Sequence, residues 1–204
     1  MKGETMVKLD LVHDIQASYR KVVDSMSRPG LISDLAAEAG KLDRDAGCFP
    51  STMIIAMMLL DTEVTFKVFS EKEAQVTHMF NRLTYANTAE AERADFIFVL
   101  QDAASDDLRN ALQKAKIGEL IDPHQSATVI VETEAVSGDK ALRLTGPGIR
   151  GESFVQVKAS ADWIQIREEK NAEYPLGIDL IFIDESHRLL CLPRTTQIRK
   201  EEVR

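Results

Sequence analysis

The stretch from Tyr174 to Thr196 constrains this chain most. An apolar, β-branched and aromatic run, Ile178 to Ile183, is followed by the turn residues Asp184 to His187 and a second apolar run, Arg188 to Leu192. Each run is too short for a globular helix and has strand composition, so the pattern predicts two buried strands joined as a hairpin. Pro193 carries no N–H, which places Arg194, Thr195 and Thr196 at a strand end or edge and sets one guanidinium beside two hydroxyls. The stretch Arg143-Leu-Thr145-Gly146-Pro-Gly148-Ile149 is built alike, a short strand running into a turn whose glycines leave backbone N–H groups accessible. Either end has the chemistry to hold an anion.

The rest of the chain alternates between the two periodicities. Val12, Ile15, Tyr19, Val22, Val23 and Met26 recur at three- and four-residue spacing, which predicts a helix from Leu11 to Ser27 with one core-facing stripe, capped by Asp10 or by His13-Asp14. It ends at Ser27-Arg28-Pro29-Gly30, because the residue before proline is pushed out of the helical region. Arg20 and Lys21 fall on its solvent side, while Arg28 is fixed at a rigid turn. Leu31 to Leu35 reads as a short strand, and Ala36 to Gly47 as a polar connection. Pro50 opens a helix that is apolar on every side through Leu60, as expected of a helix covered by other elements. Val64 to Phe69, Asp95 to Leu100 and Ala127 to Glu132 read as strands. Ser70-Glu71-Lys72-Glu73 has the form of a capping box for a helix through Val76, Phe80 and Leu83, and Ser105-Asp106-Asp107 caps another through Leu108 and Leu112. Ser160 opens a last helix containing Trp163 and Ile166, whose continuation Arg167 to Asn171 reads as a solvated face; Arg199 to Arg204 reads as a frayed tail. This order predicts one α/β domain over residues 1–204, a mixed sheet covered by helices with antiparallel pairing late in the chain.

The totals exclude several classes. A formal net charge of -8 argues against a nucleic-acid binder, which needs a basic stripe to neutralise phosphates. The four histidines show no HExxH spacing, and Cys48 and Cys191 form no CxxC pair, so neither a metal site nor a disulfide framework is expected. No apolar run approaches the roughly 20 residues that cross a bilayer. The amino terminus also lacks the apolar core of a signal peptide, so a cytoplasmic, non-membrane protein is expected. Gly146-Pro-Gly148-Ile-Arg-Gly151 matches the letters of the dinucleotide fingerprint but is followed by Glu-Ser-Phe-Val-Gln-Val, which alternates like extended chain instead of opening a helix. No nucleophile elbow, Walker loop or SxxK pattern occurs. Asp179, inside a buried strand, needs a partner, and Arg194 at the end of the neighbouring strand can be one. Two readings of that pair stand open: a functional site, with Arg194 serving function more than folding, or a buried pair that fixes the hairpin.

Six segments in order resemble one family. They are Tyr19-Arg20, Met26-Ser-Arg28-Pro-Gly30, Leu59-Leu-Asp61, Arg143-Leu-Thr-Gly-Pro-Gly-Ile149, Asn171-Ala-Glu-Tyr-Pro-Leu-Gly-Ile-Asp179-Leu180 and Leu192-Pro-Arg-Thr-Thr196. Together they resemble the PhnH family, a subunit of the bacterial carbon-phosphorus lyase core complex that degrades phosphonates; Val64 departs from the Glu-Thr that often follows the aspartate in that family. The resemblance implies a fold similar to the large domain of pyridoxal-phosphate-dependent transferases, without that cofactor, and a homodimer when isolated. It also implies assembly with PhnG, PhnI and PhnJ in a pathway that joins a phosphonate to the ribose of a nucleoside triphosphate with loss of the purine. Carbon-phosphorus cleavage then falls to radical chemistry in PhnJ, whose iron-sulfur cluster needs cysteines that this chain lacks. An accessory subunit is therefore expected, with phosphate or phosphonate as candidate ligand. Arg20, Arg28, Arg143, Thr145, Gly146, Gly148, Asp179, Arg194, Thr195 and Thr196 are the candidate contacts to ligand or partner. Two other classes remain to be weighed: a transferase using pyridoxal phosphate alone, which needs a Schiff-base lysine where Lys72, Lys114 and Lys170 fall on predicted solvent faces, and a stand-alone small-anion binding module.

Overall fold

The hairpin expected at residues 178–192 forms, and it sits inside a larger mixed sheet. The computed structural model describes residues 9–42, 46–159 and 163–201. In chain order the elements are α1 (His13–Ser27), β1 (Ile32–Asp34), α2 (Ala36–Ala39), α3 (Pro50–Leu59), β2 (Thr65–Phe69), α4 (Glu73–Thr84), β3 (Asn87–Thr88) and β4 (Phe96–Val99). They continue with α5 (Asp107–Lys114), β5 (Thr128–Thr133), β6 (Val136–Thr145), β7 (Ser153–Val157), α6 (Trp163–Lys170), β8 (Asp179–Asp184), β9 (Arg188–Leu192) and β10 (Gln197–Lys200).

The main sheet has seven strands in the order β1-β9-β8-β5-β4-β2-β3. Strands β8, β5, β4, β2 and β3 pair in parallel, while β9 runs antiparallel to both β8 and β1. Parallel strands covered on both faces carry side chains inward on every residue, which is why β4, β5 and β8 read as unbroken apolar runs. One face packs Phe66, Val68, Phe98, Ile130 and Ile181 against α1, α3 and α4; the other packs Ile97, Val129, Val131, Leu180 and Phe182 against α5 and α6. On that second face lies a three-stranded antiparallel sheet, β10-β6-β7, whose Leu142, Leu144 and Val155 join the core. No described helix is long and apolar enough to cross a membrane.

Several local expectations are corrected. The segment after Leu35 contains the short helix α2 instead of an irregular connection. The stripe on α1 is only half covered: Val22 is buried, but Val12, Tyr19 and Val23 stay 69%, 53% and 45% exposed. Asp10 does cap this helix, its carboxylate accepting from Val12 and His13 N–H at 2.8 and 2.9 Å. The capping box at Ser70 is not reciprocal, because Ser70 accepts from Lys72 N–H and Glu73 reaches Lys67 at 2.6 Å instead. Arg167 does not face solvent: it is 3% exposed. Lys170 likewise turns inward to donate to Ala115 O at 2.9 Å. Arg199 and Lys200 belong to β10 instead of a frayed tail. The expected helix start at Ser160 and the final residues 202–204 lie outside the described residues.

Candidate functional site

Three turns singled out by composition meet beside the amino ends of the parallel strands. Gly146 has φ +126°, and a Cβ there would come within 2.8 Å of Thr195 O, so the 143–149 turn lies directly on the 193–196 turn. Gly148, at φ +80°, abuts Ser27 O and Pro29, which brings in the Arg28-Pro29-Gly30 turn as a third layer. Gly177, at φ +143°, touches Asn171 and Arg194. These glycines serve close approach between backbones. Gly148→Ala is accordingly expected to cost about 1–3 kcal/mol or more, since it adds a left-handed backbone penalty to a clash with a carbonyl that has no flexible side chain to move. Thermal melting against wild type checks it, and an unchanged midpoint would show that the turns can separate freely.

Arg194 lies at the centre. Its guanidinium donates to Asp179 Oδ2 at 2.7 Å and Oδ1 at 3.4 Å, to Pro123 O at 2.9 Å, to Pro175 O at 3.4 Å and to Ser126 Oγ. Its backbone N–H reaches Asp179 Oδ1 at 2.7 Å. All five side-chain N–H groups thus find partners inside the chain. Asn171 braces the same corner, accepting from Ile178 N–H at 2.8 Å and donating to Arg194 O at 3.4 Å.

Behind this corner Arg167 holds the 193–196 turn by donating to Thr196 O at 3.0 Å and Pro193 O at 2.5 Å. Burial lowers its pKa to about 10, so it stays charged at neutral pH. Sequence reasoning missed it, although Arg167 follows Trp163 by four residues and therefore shares its inward face. A cavity of about 410 Å³ opens here, lined among others by Arg167, Arg194, Thr196 and Arg199.

The remaining candidates are scattered around the cluster. Thr195 is partly buried in the turn, and Thr145 Oγ1 makes a long 3.5 Å contact with Gln197. Arg143 faces Arg199 across β6 and β10 and pairs with Glu201 at 3.0 Å and Glu152 at 3.6 Å. Arg28 is exposed and pairs with Asp24 at 2.8 Å. Arg20 is exposed on α1, away from the three turns, with no ion pair among the described residues.

The opposite edge carries residues that the motifs did not suggest. The β2-α4-β3 crossover runs on one face of the sheet and β4-α5-β5 runs the other way on the opposite face, so the chain reverses direction between β2 and β4. Ligands in open α/β sheets enter beyond the carboxyl ends of strands at such a reversal. Here the crevice is lined by Cys48, Phe49, Lys72, Gln101, Asp102 and Glu132, and a broader depression of about 770 Å³ adjoins it through Gln101 and Glu132. Glu132 ends β5, is 7% exposed, and accepts from Phe49 N–H at 2.6 Å and Gln101 N–H at 3.0 Å. Burial nevertheless raises its pKa, outweighing those bonds. Burial likewise pushes up the Cys48 thiol, with Glu132 and Asp102 adding to the effect, so it is held as an unreactive thiol. A lone carboxylate closing the run Val129-Ile-Val131 was the available signal for Glu132.

The profile of the bacterial phosphonate metabolism protein (PhnH) matches residues 8–199. A putative C-P lyase subunit protein, HtxG, of Stutzerimonas stutzeri is 32% identical over 186 residues, covering 90% of this chain and 85% of that protein. The alpha-D-ribose 1-methylphosphonate 5-triphosphate synthase subunit PhnH of Rhizobium meliloti (strain 1021) is 26% identical over 193 residues, 94% of each chain. The family match takes in every turn of the amino-end cluster and both strands of the hairpin: the chain belongs to the PhnH family of bacterial phosphonate metabolism proteins.

Proposed function

We propose that this chain is an accessory, non-catalytic subunit of a carbon-phosphorus lyase complex, acting in the cytoplasm with PhnG, PhnI and PhnJ. In this role it is needed when a phosphonate is coupled to the ribose of a nucleoside triphosphate with loss of the purine. The observation that carries the reading is the near end-to-end match to the family and to two proteins that are themselves named as subunits. The geometry supports it in two ways. Four of the six segments that carry the resemblance, 26–30, 143–149, 171–180 and 192–196, are used in packing turns against one another. In addition, Tyr19, Val23 and Met26 flank a largely apolar depression of about 420 Å³ with Leu59, Phe96 and Ile181, a surface suited to being covered by another subunit or a second copy. The seven-stranded mixed sheet with one reversed strand beside its edge supports the proposed likeness to the large domain of pyridoxal-phosphate-dependent transferases. Here that fold serves without the cofactor.

Co-expression tests the reading. With PhnG, PhnI and PhnJ present, this chain is expected to co-purify in one assembly, and purine release from ATP plus phosphonate should fall when it is left out. Alone it should be a dimer by light scattering, colourless, and free of any borohydride-stable adduct on lysine. Purine release that does not depend on the chain, together with failure to co-purify, would overturn the subunit role; a yellow protein with a reducible lysine adduct would favour the transferase.

A further inference from the structure

The cavity behind the Pro193–Thr196 turn contains two polar groups without partners. Arg167 Nε and Thr196 Oγ1 are both buried, and neither has a hydrogen-bond partner among the described residues. The residues themselves are 3% and 2% exposed and lie in the wall of the 410 Å³ cavity. Buried N–H and O–H groups without partners are rare, and two that line one cavity are explained by a bound water, ion or ligand that completes them. The charge is equally incomplete. Among the described residues Arg167 donates to two carbonyl oxygens, and Asp179, the carboxylate whose charge acts on it, is already paired with Arg194. Two neutral carbonyls make its burial tolerable but leave the guanidinium without a hydrogen-bonded carboxylate among the described residues, so the cavity favours a negative group. Arg199 stands on the cavity wall with no ion pair among the described residues, and Gln197 beside it carries amide donors; Glu168 is the carboxylate in the lining.

We propose that this cavity is a binding site for a tetrahedral oxyanion of the phosphoryl or phosphonyl class, taken by Arg167 and Thr196 at its floor and by Arg199 at its mouth. A group with several acceptor oxygens on one centre satisfies two donors that point from different elements, α6 and the strand end, which a single carbonyl does not. The cavity exceeds the size of a free phosphate, leaving room for an organic substituent on phosphorus. The choice between free phosphate and a phosphonate rests on the functional reading above, whereas the oxyanion class rests on the donors alone.

Calorimetric titration of the full chain with inorganic phosphate, methylphosphonate and acetate tests this. The expected result is saturable binding of one tetrahedral anion per chain, with acetate weaker. Tighter methylphosphonate assigns the site to pathway substrate, and tighter phosphate assigns it to the free anion. Thr196→Val, which keeps shape and loses the hydroxyl, and Arg199→Ala, on the open wall, are each expected to weaken binding about tenfold with little change in melting temperature. Thr196→Ser should restore it. Absence of saturable binding by the wild-type chain, or unchanged affinity in both variants, overturns the site. Co-purification with the other subunits is scored separately, so loss of the anion site and loss of the complex role are distinguishable.

Discussion

Arg194→Ala is expected to lower stability by about 3–5 kcal/mol, the cost of removing one partner of a buried ion pair. For a chain of this length the melting midpoint should then fall by about 6–20 °C. The side chains of Arg194 and Asp179 are 17% and 19% exposed, so solvent screens the loss only weakly. Truncation also removes the donors that hold Pro123 O, Pro175 O and Ser126 Oγ, and with them the tie between the hairpin and the 117–126 loop, whose ends are bridged at Ile117 and Ser126. Arg194→Lys should recover only part of the loss, because a point charge can reach Asp179 but cannot form the planar fork that spans four partners. The Asp179→Ala, Arg194→Ala double variant should lose well less than the sum of the two single losses, as it no longer strands a charge. Retention of the wild-type midpoint in Arg194→Ala, with loss of complex-dependent phosphonate activity, would return this residue to the functional role expected from its strand-end position.

The partners of Arg194 show where local sequence pattern stops being informative. The strand end, the proline and the neighbouring Asp179 were all legible locally, and so was the hairpin, because burial on both faces imprints an apolar run on β8 and β9. Hidden from local pattern was that Pro123, Pro175 and Ser126 arrive from distant segments to use every donor of the guanidinium. Arg167 is the same lesson reversed. Four charged residues in a row, Arg167-Glu-Glu-Lys170, suggest a solvated face, yet the 193–196 turn supplies two carbonyls that make burial of the arginine tolerable. The α1 stripe failed for another reason: periodicity identifies an apolar face but not what covers it, and Tyr19 and Val23 face a depression that the described residues leave uncovered.

The two ends of the sheet divide the labour. At the amino ends, glycines with left-handed backbones let three turns stack, while Arg167 anchors the 193–196 turn to α6 and Arg194 ties it to β8 and the 117–126 loop. At the carboxyl ends the reversal between β2 and β4 leaves a crevice whose principal ionisable group, Glu132, is bound by backbone donors instead of by an opposite charge.

Glu132→Ala is the second large loss expected, about 2–4 kcal/mol. Two hydrogen bonds to a charged group contribute about 1.5–3 kcal/mol each, offset in part by relief of the buried carboxylate's desolvation. The Phe49 and Gln101 N–H groups tie α3 and the loop after β4 to the end of β5, so the loss should be accompanied by loosening of that crevice, read as faster amide exchange at Phe49 and Gln101. The pH dependence has a definite sign. Glu132 has its pKa raised from 4.5 in the folded chain, mainly by burial, so the folded state binds this proton more tightly than the unfolded state does. Its contribution to stability is therefore complete below about 4.5 and is lost as pH rises through the raised folded value. Glu132→Gln has no such proton, and the stability of wild type relative to this variant should decline across that window. A wild type that instead gains on the Gln variant as pH rises would show that the Phe49 and Gln101 hydrogen bonds outweigh burial, leaving Glu132 an ordinary ionised brace.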